Sequence, residues 1–102
     1  MSDRSTKFIH AFEHGKRGGM TIGYRGAWLE TQYEVKAGVS FCSTKDQYSR
    51  KRGAIIAAGR LETHPVSFVL AEEPTTQEIH AHVMALVIQD RVHGTPDRLI
   101  KR

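Results

Sequence analysis

The sequence predicts an α+β fold in which two main helices pack on a small antiparallel sheet. Between residues 20 and 42, short runs of apolar residues alternate with polar ones, as is typical of half-buried strands. Two later segments begin with Ser or Thr followed three residues on by an acid, the pattern that caps a helix N-terminus. At 102 residues, the chain has the length of a single domain. We therefore expect the order hairpin, strand, helix, strand, helix.

Three regions are predicted along the chain. A flexible, basic lead-in over residues 1–19 mixes charge, histidine and glycine. Residues 20–94 form a single α+β domain, and residues 95–102 form a basic tail. The organisation of the domain therefore rests on residues 20–94.

The domain is predicted to begin with a hairpin. Met20–Arg25 forms the first strand, Gly26-Ala27 the turn, and Trp28–Lys36 the second strand, whose residues alternate at period two. Ala37-Gly38 either turns the chain into a third strand or marks a bulge within one long strand.

A third strand and a cationic helix follow. Residues 39–42 suit a half-buried strand, and Ser43–Asp46 reads as a capping box that opens a helix over about residues 44–60. At roughly 100° per residue, the face predicted to be buried contains Tyr48, Ile55 and Gly59. The small residues of this helix, among them Gly53, allow another backbone to approach closely.

Arg52 falls on the inward side of this predicted helix. An isolated buried guanidinium is costly, so it requires a partner. Two interpretations follow from the sequence. Either Arg52 pairs with a carboxylate, namely Glu34, Glu62 or Asp46, or it lines a pocket that receives an anion.

The remaining elements are one more strand and one more helix. Val66–Ala71 is apolar except for Ser67 and is predicted to lie inside the sheet. Thr75 with Glu78 forms a second capping box, and the helix that it opens is predicted to run to about His93, where Gly94 ends it.

This last helix is apolar over much more than half of its circumference. A helix on a small sheet needs an apolar stripe of little more than 100°, and a second apolar side is typical of a contact with a partner. The second side consists of Ala81, Met84, Ala85, Ile88 and Val92. We therefore expect a homo-oligomer, at least a dimer.

Composition narrows the classes of function. Fifteen Lys and Arg against eleven Asp and Glu give a net charge of +4, which favours anionic partners. The single cysteine excludes an internal disulfide framework, and no apolar run is long enough to span a bilayer. With a polar N-terminus, the protein is expected in the cytoplasm, without a membrane partner. No catalytic arrangement or metal motif is visible, so we expect neither an enzyme nor a cofactor or metal.

Part of the central segment resembles proteins of tailed bacteriophages. The resemblance is carried by Gly38-Val39-Ser40-Phe41-Cys42-Ser43, Lys45-Asp46, Ser49-Arg50-Lys51, Gly53, Ile56-Ala57 and Gly59-Arg60-Leu61. More loosely, the segment resembles the phage anti-Thoeris sponge proteins. That family sequesters a cyclic ADP-ribose-type signal made by host TIR-domain enzymes, and it assembles as oligomers. The resemblance covers residues 38–61, about a quarter of the chain, and implies a class of ligand without assigning binding residues.

Together these observations predict a non-catalytic, phage-type anti-defence protein that binds and sequesters a phosphorylated nucleotide signalling molecule. Arginine suits bidentate contacts to phosphate, and backbone amides at a helix N-terminus add affinity for anions. The candidate ligand-binding residues are Tyr24, Arg25, Phe41, Lys45, Ser49, Arg52 and Arg60.

Two alternatives remain open at this point. One is a small, basic nucleic-acid-binding protein in which Arg50, Lys51 and Arg52 contact phosphates. The other is a phage inhibitor that docks on a host protein through an exposed apolar face or a sheet edge.

Overall fold

The α+β prediction is confirmed by the computed structural model, which describes residues 5–11, 17–47 and 49–101, without the side chains of residues 17, 18 and 43–47. Four strands form one antiparallel sheet in the order β1-β2-β3-β4, with two helices packed against it. The elements in chain order are β1 (Lys7–Ala11), β2 (Arg17–Leu29), β3 (Gln32–Gln47), α1 (Arg50–Thr63), β4 (Val66–Leu70), α2 (Thr76–Ile88) and a short 3-10 turn (Asp97–Leu99).

Strand β1 lies within the segment that the sequence predicts to be a flexible lead-in. It pairs with β2 from Lys7 opposite Tyr24 to Ala11 opposite Met20. Ile9 of β1 also packs against the hydrophobic core. The sheet therefore begins well before residue 20.

The hairpin between β2 and β3 turns at Glu30-Thr31, so the predicted turn at Gly26-Ala27 is wrong. Leu29 pairs with Gln32, and Glu30 adopts a left-handed φ of 58°. Gly26 instead lies inside β2, where a Cβ would collide with the ring of Tyr33. This glycine makes room for a cross-strand aromatic side chain rather than for a turn.

Strand β3 is one long strand that passes through Ala37-Gly38 without a turn or a bulge. The β2–β3 register is regular from Gly19 to Leu29, and its irregularity lies between Arg17 and Gly19. Because β3 continues to Gln47, Ser43–Asp46 is part of the strand, and the predicted capping box there is wrong. Helix α1 begins at Arg50, after the cap residue Ser49, whose hydroxyl accepts a hydrogen bond from the Arg52 amide at 3.2 Å.

Helix α1 contacts the sheet through Gly53, Ala57 and Leu61, so the predicted buried face is wrong. Ile55 is 65% exposed and Gly59 is exposed; Tyr48 lies outside the described residues. The sheet surface beneath α1 presents small residues, and the Ser40 hydroxyl donates to the Gly53 carbonyl at 3.0 Å. Only the small-residue side of the helix fits this surface, as the close approach predicted for Gly53 requires.

Helix α2 packs on the opposite face of the sheet. Its buried residues Ile79, Val83 and Val87 join a core with Ile22 and Val39. Residues of β2 and β3 on that face alternate with those that meet α1, which places the two helices on opposite faces.

The beginning of α2 is confirmed and its predicted end is wrong. Both hydrogen bonds of the Thr75–Glu78 capping box are present, at 2.8 and 3.2 Å. The helix ends at Ile88 rather than near His93, and Asp90 follows in a left-handed conformation with φ 60°.

The second apolar side predicted for α2 is smaller than expected. Val92 is buried in the core, and Met84 packs against it. The exposed apolar residues left among the predicted five are Ala81, Ala85 and Ile88. His82, on the exposed side of this helix, stacks on Phe68 of β4 with the ring centroids 4.9 Å apart.

Strand β4 lies at an edge of the sheet, so its predicted internal position is wrong. It pairs with β3 from Ala37 opposite Val66 to Tyr33 opposite Leu70. The apolar run reflects contact with the α2 side of the core, against which Val66 and Phe68 pack.

Candidate functional site

An open groove of about 710 Å³ lies beside the C-terminal end of α1, over β2 and β3. We call it the Arg25 groove. Its lining includes three cations, two carboxylates and two tyrosines, together with Leu61 in the last turn of α1: Lys7, Arg25, Lys36, Glu34, Glu62, Tyr24 and Tyr33. Its volume lies within the range of small-molecule sites.

Arg25 is already engaged within this groove. Its Nη2 atom lies 2.8 Å from a carboxylate oxygen of Glu62, and its Nε donates to the Thr6 hydroxyl at 3.0 Å. The two charged side chains are 36% and 62% exposed. An ion pair this exposed contributes about 0–1 kcal/mol, so an anionic ligand can compete with Glu62 for the guanidinium.

Two tyrosines on neighbouring strands border the groove. Burial raises the pKa of Tyr24, and burial with the Glu73 carboxylate nearby raises the pKa of Tyr33. Both phenols therefore stay protonated at neutral pH and remain hydrogen-bond donors. The ring of Tyr33 also meets Trp28 edge to face at 5.3 Å, which holds the aromatic end of the hairpin in place.

The cationic first turn of α1 is a separate surface. Arg50, Lys51 and Arg52 are all exposed, and this turn contains no acid. None of the three forms an ion pair with a side chain that the structure describes. Three cations at the positive end of a helix dipole oppose helix stability, so this turn favours an external anion.

The inward position predicted for Arg52 is wrong. The helix begins six residues later than predicted and presents a different face, which turns Arg52 into solvent. Neither its predicted pairing with a carboxylate nor a pocket around its guanidinium is observed among the described residues.

Arg60 is half-buried and supports the fold. Its Nη1 atom donates a hydrogen bond to the Val39 carbonyl at 2.8 Å. Val39 lies in β3 just past Ala37, where the pairing with β4 ends. Gly94, at φ +86°, lies against the guanidinium so closely that a Cβ there would be 2.6 Å from Nη1. The side chain thus ties the helix to the strand and to the segment after α2.

Among the predicted ligand-binding residues whose side chains the structure describes, only Tyr24 and Arg25 line the Arg25 groove, and Tyr24 is buried in the core on the opposite face of the sheet from Arg25. Phe41 is half-buried against the core, and Ser49 is the cap of α1. The side chain of Lys45 lies outside the described ones. The predicted site is therefore divided among different parts of the fold.

Sequence reasoning missed Lys7, Lys36 and Tyr33 as neighbours of Arg25. The cross-strand pair of Arg25 with Lys36 follows directly from the register set by the turn at Glu30-Thr31. A correct turn would have placed Lys36 beside Arg25, whereas nothing in the sequence indicated that Lys7 belongs to the sheet.

A pair of stacked histidines lies near Arg60. The rings of His64 and His93 are 3.8 Å apart and nearly parallel, at 9°. Although His93 is exposed, contact with its neighbours removes water from part of the ring; this desolvation, together with the charges of His64 and Arg60, lowers its pKa from the ordinary value of 6.5. The pair provides two nitrogen-bearing rings and no third ligand, and no group of three or more metal-ligating side chains occurs among the described residues.

Comparison of the chain with protein-family models, curated proteins and solved structures finds no match. The resemblance to phage proteins therefore stays a prediction. In the part of the chain that the structure covers, neither helix is long and apolar enough to cross a membrane.

Proposed function

We propose that this protein is a non-catalytic binding protein that captures a phosphorylated, nucleotide-type small molecule in the Arg25 groove. The observation that carries the proposal is the cross-strand pair of Arg25 with Lys36 on the α1 face of the sheet, beside a cavity of about 710 Å³ that Lys7 also lines. Guanidinium and ammonium groups bind phosphate, and Tyr33, which is only partly buried at the groove, supplies an aromatic surface and a hydroxyl for the rest of the ligand.

The charge of the groove supports this class of ligand. Lys7, Arg25 and Lys36 contribute three positive charges, and Glu34 and Glu62 contribute two negative ones. Displacement of Glu62 by a phosphate frees the Arg25 guanidinium for the ligand. The resemblance of residues 38–61 to phage proteins supports a role in sequestering a host signal, in the cytoplasm of the host cell.

Isothermal titration calorimetry with cyclic ADP-ribose isomers and cyclic dinucleotides tests the proposal. We expect binding by the wild-type protein and a loss of affinity of about ten- to 100-fold in Arg25→Ala, as for removal of a charge-assisted hydrogen bond. Arg52→Ala is the matched control because Arg52 is exposed and distant from the groove lining. Absence of heat with every ligand, or an equal loss in both variants, would contradict the proposal.

A second candidate function is favoured by the cations in the first turn of α1, which form no ion pair with any side chain that the structure describes. Arg50, Lys51 and Arg52 at the positive end of the helix suit contacts to a nucleic-acid backbone. This function predicts binding of single- or double-stranded oligonucleotides that weakens steeply with salt and is lost on replacing the three cations by alanine. Arg25→Ala would then have little effect, which separates the two candidates.

A further inference from the structure

None of the described strands pairs with the outer side of β4. The sheet order places β4 at one end, and its ladder is formed with β3 alone. No other backbone hydrogen bond is found for Val66–Leu70 within the described chain. Its outward amides and carbonyls therefore present a row of unpaired groups, which is a template for another strand.

The composition of β4 does nothing to protect this edge. The strand reads VSFVL, without charge or proline, whereas the strand at the opposite edge, β1, contains Lys7 and His10. Natural edge strands are commonly protected by lysine, proline or bulges. Val69 is 47% exposed, on the face of the sheet where α1 covers β2 and β3.

We propose that β4 pairs antiparallel with β4 of a second copy of the chain, so that two sheets join into one of eight strands around a twofold axis. A register centred on Phe68 places Ser67 opposite Val69 of the other copy and Val66 opposite its Leu70. Every contact in this register joins uncharged residues, and opposite residues lie on the same face of the joined sheet.

Charges at the two ends of β4 favour this antiparallel arrangement. The strand is followed by the exposed carboxylates Glu72 and Glu73, and the positive charge of Arg60 lies near its other end, beside the stacked rings of His64 and His93. Antiparallel pairing brings the carboxylates of one copy toward the Arg60 end of the other. Pro65, which lacks an N–H, limits the ladder at the start of the strand.

Sedimentation equilibrium of the full chain tests the proposal. We expect a wild-type mass of twice 11.5 kDa. In Val69→Lys the mass should fall to half that value, because each copy would then place a charged lysine between the two paired β4 strands. Ile55→Lys is the matched control: Ile55 is 65% exposed on α1, and this variant should keep the wild-type mass. A wild-type monomer at all concentrations, or association that Val69→Lys leaves unchanged, overturns the proposal.

Amide hydrogen exchange over Val66–Leu70 gives an independent readout. We expect the amides that point away from β3 to be protected in the wild-type dimer and to exchange rapidly in Val69→Lys. Equal exchange in both proteins overturns the proposal. If circular dichroism shows that Val69→Lys is unfolded, Ser67→Lys, at an exposed position of the same face, replaces it in both experiments with the same expected and contrary results.

Discussion

Gly38 of β3 lies against Ala57 of α1 so closely that a Cβ at Gly38 would be 2.5 Å from the Ala57 carbonyl oxygen. The backbone amide of Leu61 and the carbonyl carbon of Arg60, the latter at 2.7 Å, border the same space. Since these neighbours are backbone atoms of a helix, they cannot move aside individually. The position of α1 on the sheet therefore requires glycine at residue 38, because any side chain there would collide with the helix backbone.

Replacement of Gly38 by alanine should lower the free energy of unfolding by about 1–3 kcal/mol, the usual cost of overpacking. Urea denaturation followed by circular dichroism measures this change. Gly59→Ala is the matched control, because a Cβ at Gly59 meets nothing within 4 Å and alanine favours a helix by up to ~1 kcal/mol over glycine. Equal effects of the two substitutions would contradict the close contact described for Gly38.

Replacement of Arg60 by alanine should destabilise the fold by about 1–3 kcal/mol, since it leaves the Val39 carbonyl without its guanidinium partner. Arg52→Ala, on the same helix, should change the free energy of unfolding by less than about 0.5 kcal/mol because its side chain is exposed. Thermal or urea unfolding compares the two variants. A larger effect for Arg52 than for Arg60 would show that the orientation of α1 is wrong.

Removal of the α2 cap by Thr75→Ala should cost about 1 kcal/mol, because the Glu78 amide loses its acceptor. Thr76→Ala removes the same atoms one residue later, at the exposed first position of the helix, and should be neutral or slightly stabilising. Differential scanning calorimetry of both variants provides the comparison. Equal melting temperatures would argue against the capping box.

The protein should lose stability as the pH falls below about 6.5. The pKa of His93 has an ordinary value of 6.5, which we take for the unfolded chain, and it is lower in the folded protein. Between the two pKa values the unfolded chain binds more protons, so this contribution to stability is complete above 6.5 and is lost as the pH falls through the folded pKa. His10, whose pKa is lowered by burial and by Arg50, adds a change of the same sign.

Urea unfolding between pH 8 and pH 5 checks this dependence. The variant His93→Gln should show a shallower decline than the wild-type protein, because glutamine does not titrate. An unchanged slope would exclude His93 as a source of the acid sensitivity.

Replacement of Glu62 by glutamine should tighten binding of a phosphorylated ligand in the Arg25 groove, since it removes the charge that competes for Arg25. The expected gain is a few-fold, in line with the strength of an exposed ion pair. Calorimetry with the ligand found for the wild-type protein measures it. Weaker binding by Glu62→Gln would mean that Glu62 holds the ligand or orients Arg25 for it.

Local patterns in the sequence predicted the fold class and the second capping box. The Thr75–Glu78 box succeeded because both partners lie within one turn and no other element competes for their backbone groups. The box at Ser43–Asp46 failed because β2 pairs with β3 as far as Gln47. Interstrand hydrogen bonds there decide between strand and helix, and they connect residues far apart in the chain.

The sequence by itself determined the character of the individual elements and the net charge. It showed that β4 is uncharged and mainly apolar, that α1 is rich in cations and small residues, and that the chain carries a surplus of positive charge. The tertiary structure decided which side of α1 is buried: Ala57 lies against the sheet, and Ile55, which was expected to be buried, is exposed. The reason is steric. Helical periodicity indicates which residues share a face, but the small residues of the sheet surface select the face that fits, and this choice sends Arg52 into solvent and leaves Arg25 in the groove.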